Sequence, residues 1–239
     1  MQPQHTGTLH LIPVGLSEAP IDSWLPIAAQ QQAAGLSNYI AENAKTARAF
    51  LKLLTLERPI QEIDIQTLTA KTDDQTIRQW LAPLKNHQSI GLVSEAGCPA
   101  VADPGARVVA LAHDMGATVK PWTGPSSIVL GLMASGLDGQ RFAFHGYAPV
   151  KPDERAKQLK QWEQLSARLS QTQILIETPY RNAAMFDSLL QTLNPKTRLC
   201  VACDVTGPNE WLRTRTVASW KNSPQPDLVG KPTLFLFQA

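Results

Sequence analysis

Short apolar runs bounded by glycine or proline alternate along this chain with longer stretches whose apolar residues recur every three or four positions. The first pattern predicts strands and the second predicts helices. Residues 8–14 (TLHLIPV) read as a strand turning at Pro13 and Gly15, and residues 21–34 as a helix with Trp24, Leu25 and Ile27 on its apolar side. Tyr39, Ile40 and Ala41 end a second strand. A helix over 45–54 then carries Ala47, Phe50, Leu51 and Leu54. Residues 55–72 are polar, with scattered apolar positions and no clean period. Periodicity resumes over 72–84, where Ile77, Trp80, Leu81 and Leu84 share a helical face. Ile90-Gly91-Leu92-Val93 reads as a buried strand, 108–115 as a helix and 118–122 as another strand.

The second half continues in the same way. A helix is expected over 126–135 and a strand over 142–145. Lys151-Pro152-Asp153 opens a charged helix striped by Leu159, Trp162, Leu165 and Leu169, its lysines and glutamines marking a solvated face. Strand 173–177 (QILIE) precedes a helix that buries Phe186, Leu189, Leu190 and Leu193. Strand 199–205 follows, 209–217 can pair beside its neighbours, and LFLF is a last strand. Such alternation predicts α/β layers with mostly parallel neighbours.

Composition narrows the class. A chain of 239 residues can form one large or two small domains, and 43% hydrophobic with 18% charged residues is ordinary globular usage. The net charge of +2 is too small for a protein that grips long nucleic acid by phosphates alone, though a local basic patch is compatible with it. No apolar run approaches the roughly 20 residues of a membrane helix. Residues 1–15 lack a charged segment followed by a long apolar core, so no secretory leader is expected. Three cysteines make no disulfide framework. We therefore expect a cytoplasmic protein without membrane contact. Cys200 and Cys203 form a C-x-x-C, but on a strand that spacing sends the side chains to opposite faces. A redox or metal role is not expected of them.

The stretch 91–136 carries the strongest signal. It contains the knots Ala96-Gly97-Cys98-Pro99, Asp103-Pro104-Gly105 and Gly124-Pro125-Ser126, each beside an apolar run. Asp103 suits a helix N-cap with Pro104 at the first helical position, and Gly116 suits the stop of that helix. Three turns converging at strand ends are where open α/β sheets bind ligands.

SEAGCPAVADPG, followed by TGPSS, ASGL and FAFHGYAP, resembles the tetrapyrrole methylase family, within it the branch that methylates a ribose 2′-hydroxyl of small-subunit ribosomal RNA. ETPYR at 177–181 matches that family's E-S-P-H-R turn. Glu95 and Cys98 replace its usual aspartate and threonine, AENAK at 41–45 replaces AEDTR, and CDVTG at 203–207 replaces RELTK. The resemblance implies two α/β domains, 1–122 and 123–239, with S-adenosylmethionine in the cleft between them, and a homodimer. It further implies cofactor contacts from Pro13, Glu95, Ala96, Gly97, Cys98, Val101, Gly124, Pro125, Ser126, Thr178, Ala202 and Thr233. Asn43, Lys45 and Arg181 would meet the substrate, and Glu42 is the candidate for taking the acceptor's proton. On the residues alone, Glu42 and Asn43 serve equally well as caps of a helix N-terminus.

No G-x-x-x-x-G-K, Rossmann G-x-G-x-x-G or H-E-x-x-H occurs, and Ser126-Ser127 lacks a nucleophile elbow. No metal is expected. Methyl transfer suits this shortage of catalytic groups, because the donor's methyl is already activated and the protein has chiefly to align the reactants. Methylation of a small heterocycle, or a cofactor-binding module without catalysis, remain the alternatives.

Overall fold

The computed structural model describes residues 7–239, and the chain divides between Ser126 and Ser127 into two compact units. The first unit holds strands β1 (Thr8–Leu11), β2 (Asn38–Ala41), β3 (Asp64–Thr67), β4 (Ile90–Val93) and β5 (Thr118–Pro121). They form one sheet in the order β3-β2-β4-β1-β5, with every pairing parallel. Helices α1 (Ile27–Gly35) and α2 (Ala44–Leu51) cover one face, packing Ala29, Ala33, Phe50 and Leu51 against Ile12, Tyr39, Ala41 and Val93. Helices α3 (Asp74–Trp80) and α4 (Gly105–Asp114) cover the other, where Ile77, Val108 and Ala112 meet Leu9, Ile40, Ile90 and Leu92. Both faces are apolar, as a wholly parallel sheet requires.

Two expected helices are broken by proline. Instead of one helix over 21–34, the chain makes a 3-10 turn at Ile21–Ser23 and starts α1 after Pro26, leaving Ile27 64% exposed. Proline lacks the N–H that would continue the ladder, and it holds the residue before it extended. Likewise α3 ends at Trp80 and passes into a 3-10 turn, Ala82–Asn86, around Pro83. The aperiodic stretch 55–72 hides β3, an edge strand whose DIQT sequence is only half-buried and so carries little hydrophobic signal.

The second unit begins with α5 (Ser127–Ser135) and β6 (Phe142–Tyr147). It continues with α6 (Pro152–Leu169), β7 (Thr172–Glu177) and α7 (Asn182–Thr192). β8 (Arg198–Cys203), β9 (Trp211–Thr216), α8 (Val217–Lys221) and β10 (Thr233–Gln238) complete it. Its sheet runs β6-β7-β10-β8-β9, and only β6 and β7 are parallel. The expectation of mostly parallel neighbours is therefore corrected for this half. The segment 204–210 joining β8 to β9 is too short for a crossover, so the two must run antiparallel. Side chains alternate across the sheet: Leu199, Val201, Cys203, Phe235 and Phe237 face α6, α7 and α8, whereas Cys200, Ala202, Leu234 and Leu236 face Leu132 of α5. Cys200 and Cys203 thus lie on opposite faces, both free. Leu169 leaves the expected stripe of α6 at 42% exposed, because the helix ends there and Ser166 takes the buried position.

Candidate functional site

In the first sheet the loops of β1 and β2 lead to α1 and α2 on one face, and the loop of β4 leads to α4 on the other. β4 lies between β1 and β2, so adjacent loops turn opposite ways and leave a crevice at the carboxyl ends. The loops around it are tied together. Val14 and Gly97 exchange backbone hydrogen bonds of 3.0 and 3.1 Å, and the Cys98 thiol donates to the Pro125 carbonyl at 3.4 Å. Gly97 has φ +71°, and a Cβ there would lie 3.2 Å from Leu16 Cδ2. A Cβ on Gly124 would collide with the Pro13 ring. Pro13, Gly97, Cys98, Gly124 and Pro125 therefore come together.

The loop after β2 joins them. Asn43 Oδ1 accepts the Lys45 N–H at 2.9 Å and caps α2, while its Nδ2 donates to Glu95 Oε1 at 3.2 Å. Glu42 Oε1 accepts the Glu95 backbone N–H at 3.3 Å. Burial pushes the Glu42 carboxyl up, the Asp103 charge adds to this, and the bond from Glu95 N–H opposes it. Asp103 Oδ1 and Oδ2 accept N–H groups from Gly105 at 2.6 Å and Ala100 at 2.8 Å. Burial nevertheless holds the Asp103 carboxyl above its usual range. α4 starts one residue later than expected, with Pro104 itself as the cap.

Between these anchors Ala100 and Ala102 adopt φ of +68° and +63°, a conformation that costs a non-glycine residue on the order of 1 kcal/mol or more. Val101, between them, is exposed. Glu95, Ala96, Asn43 and Lys45 are exposed too, and Ser126 is half-buried.

In the second unit, the ends of β7 and β8 and the start of β10 share one sheet edge, where Thr233 pairs with both Glu177 and Cys203. Arg181 donates from Nε at 3.0 Å and Nη2 at 2.5 Å to Glu177 Oε1, and from Nε to Thr178 Oγ1 at 3.2 Å. Thr178 is half-buried. Ala202 is fully buried, facing Gly131 of α5, and Thr233 donates its hydroxyl to the Lys231 carbonyl at 3.1 Å. Among the described residues no group of histidine, cysteine and carboxylate side chains could hold a metal ion, and no helix is long and apolar enough to cross a membrane.

The sequence signature of the tetrapyrrole (corrin/porphyrin) methylases matches residues 30–219. The chain belongs to this family. Tetrapyrrole methylases take their methyl group from S-adenosylmethionine. A protein of Xylella fastidiosa named ribosomal RNA small subunit methyltransferase I is 30% identical over 216 residues, covering 89% of this chain and 74% of that one. A protein of the same name from Mesorhizobium japonicum is 36% identical over 137 residues, covering 57% of this chain and 45% of its own length. The chain spans about half the length of most of the curated relatives it matches. Among solved structures, the methyltransferase CobJ superposes with a TM-score of 0.61 at 15% identity, covering 98% of this chain and 93% of CobJ. Uroporphyrin-III-C-methyltransferase from Thermus thermophilus gives 0.56 at 16%, covering 97% and 92%.

Seen in this tetrapyrrole methylase, two of the departures from the family pattern are physically linked. The amide at position 43 donates to the carboxylate at 95, which an aspartate at 43 could not do. Three features were not legible in the sequence. Left-handed alanines at 100 and 102 have no residue-type signature. Ser94, whose Oγ lies 3.1 and 3.3 Å from the Ala96 and Gly97 carbonyls, looks like any strand-end serine. His10 sits within the apolar run of β1. It is 5% exposed and accepts at Nδ1 from Trp122 Nε1 at 3.1 Å, while Lys120 Nζ lies 3.9 Å above the Trp122 ring. Burial first, and then Lys120, lower its pKa to about 4, so it is neutral with its proton on Nε2.

Proposed function

We propose that this tetrapyrrole methylase is an S-adenosylmethionine-dependent methyltransferase acting on a ribose 2′-hydroxyl of small-subunit ribosomal RNA. The observation that carries the reading is the tied crevice at the carboxyl ends of β1, β2, β4 and β5. The relatives named ribosomal RNA small subunit methyltransferase I support the choice of acceptor. The residues fit such a cofactor, because Gly97 and Gly124 let the loops at Pro13, Leu16 and Pro125 pack closely at the strand ends, which fixes the backbone of the exposed Glu95 and Ala96 beside them. Backbone groups of 95–98 and 124–126, with Pro13 and Val101, are the contacts we assign in the first unit. Thr178 and Thr233 are those we assign in the second, whereas Ala202, expected among them, has no exposed surface and packs against α5.

The cofactor supplies a methyl group already activated on sulfonium, so alignment is the protein's main task. Glu42 is assigned to take the hydroxyl proton, and its raised pKa brings its basicity closer to neutral pH. Asn43 holds Glu95, and with it the Glu95 N–H bonded to Glu42. Lys45 and Arg181 are assigned to the RNA. We further propose a cytoplasmic homodimer. The test offers labelled cofactor with assembled small subunits, free ribosomal RNA or a porphyrinoid. Label should enter the particles, and a porphyrinoid labelled in their place would overturn the reading.

A further inference from the structure

Tyr180 is 89% exposed, more than any other large hydrophobic side chain described. It buries almost nothing, so it contributes little to folding, yet the backbone that presents it is fixed from several sides. Thr178-Pro179-Tyr180-Arg181 is a turn closed by the Arg181 N–H on the Thr178 carbonyl at 2.9 Å, with proline at its second position. The Gly230 N–H reaches the Pro179 carbonyl at 3.3 Å, and Asn182 Nδ2 donates to the Lys231 carbonyl at 2.7 Å. Val229, next to that anchoring glycine, is 67% exposed.

Next in the chain, the Arg181 guanidinium is held by its two hydrogen bonds to Glu177, whose side chain is wholly buried. A carboxylate so placed fixes the plane of the guanidinium rather than leaving it to wander. An aromatic face and a fixed guanidinium plane are the two side-chain surfaces on which unpaired bases of folded RNA stack. Stacking tolerates any base, because each has a π face, and it needs no large positive field. That suits a chain of net charge +2.

We infer that the turn 178–181 is a base-stacking platform: Tyr180, exposed on a turn whose backbone is fixed, receives an unpaired nucleobase of the RNA substrate, and the restrained Arg181 guanidinium follows it in the chain. The inference rests on the RNA reading above. Tyr180 is a binding residue and takes no part in the transfer itself.

Tyr180→Ala and Tyr180→Phe in the full chain test it. Tyr180→Ala should raise the KM for assembled small subunits about tenfold or more, in line with the loss of one stacked base. Its kcat, its calorimetric affinity for S-adenosylhomocysteine and its melting temperature should stay at wild-type values, and Tyr180→Phe should restore the wild-type KM. A second measurement does not depend on turnover. A single-stranded oligoribonucleotide carrying 2-aminopurine should lose fluorescence with wild type and Tyr180→Phe but not with Tyr180→Ala. An unchanged KM, or wild-type quenching by Tyr180→Ala, overturns the platform. Absence of methyl transfer by wild type, with quenching intact, overturns the proposed acceptor and leaves the platform supported.

Discussion

Gly97 combines three constraints in one residue: a left-handed backbone, a backbone pair with Val14, and close approach of Leu16 and Pro125. A branched side chain there meets all three, so Gly97→Val should lose calorimetrically measured affinity for S-adenosylhomocysteine by at least about tenfold. It should also lower stability by about 1–3 kcal/mol, the usual cost of such strain. Wild-type affinity in a folded Gly97→Val protein would remove the crevice from the cofactor assignment. His10 makes a pH prediction of definite sign. It titrates at about 4 when folded, against 6.5 for the free side chain, so between those values the unfolded chain binds more protons. Its contribution is present above pH 6.5 and is lost as the pH falls toward 4. Glu42 and Asp103, with raised pKa values, act in the opposite direction, so the comparison must be with a His10 variant. Between pH 7 and pH 4 wild type should lose about 2–3 kcal/mol more than His10→Gln in urea unfolding. Parallel pH profiles for the two proteins would refute this.

At the scale of elements, what the sequence made legible follows from how strongly each element is buried. β4 is apolar throughout and β7 has the apolar centre Ile174-Leu175-Ile176, and their positions agree with the expectation to within a residue. β3 was invisible because an edge strand with half its side chains in water has no need of hydrophobic residues. Prolines 26 and 83 mark helix breaks, but the apolar periodicity continues on either side of each and masks them. The direction of the strands in the second unit had a cue in the seven-residue link 204–210, too short to cross over. Of the crevice, the glycine and proline positions could be read, because only such residues fit tight turns. The Asn43–Glu95 bond could not, because it depends on which strands become neighbours. The C-x-x-C supplies the prediction at this scale. With Cys200 and Cys203 on opposite faces of β8, their Cβ atoms cannot face one another as a disulfide requires. Air-oxidised protein analysed by mass spectrometry should contain no 200–203 disulfide; finding one would contradict the strand.

At the scale of the whole molecule, membership of the tetrapyrrole methylases is consistent with the proposed methyl transfer needing few conspicuous catalytic groups, since the donor carries its own activation. For the proposed RNA acceptor, the net charge of +2 favours reading through shape, 2′-hydroxyls and unpaired bases over a grip on phosphates. The most direct measurement is the position of the transferred methyl group. Small ribosomal subunits lacking the modification are incubated with this protein and methyl-labelled S-adenosylmethionine, and their RNA is hydrolysed in alkali. A methyl on the 2′-oxygen blocks the hydroxyl that alkaline cleavage needs, so the account predicts label in a single alkali-resistant dinucleotide. Label released with mononucleotides, which places the methyl on a base, would contradict the account, as would RNA without label beside a methylated porphyrinoid.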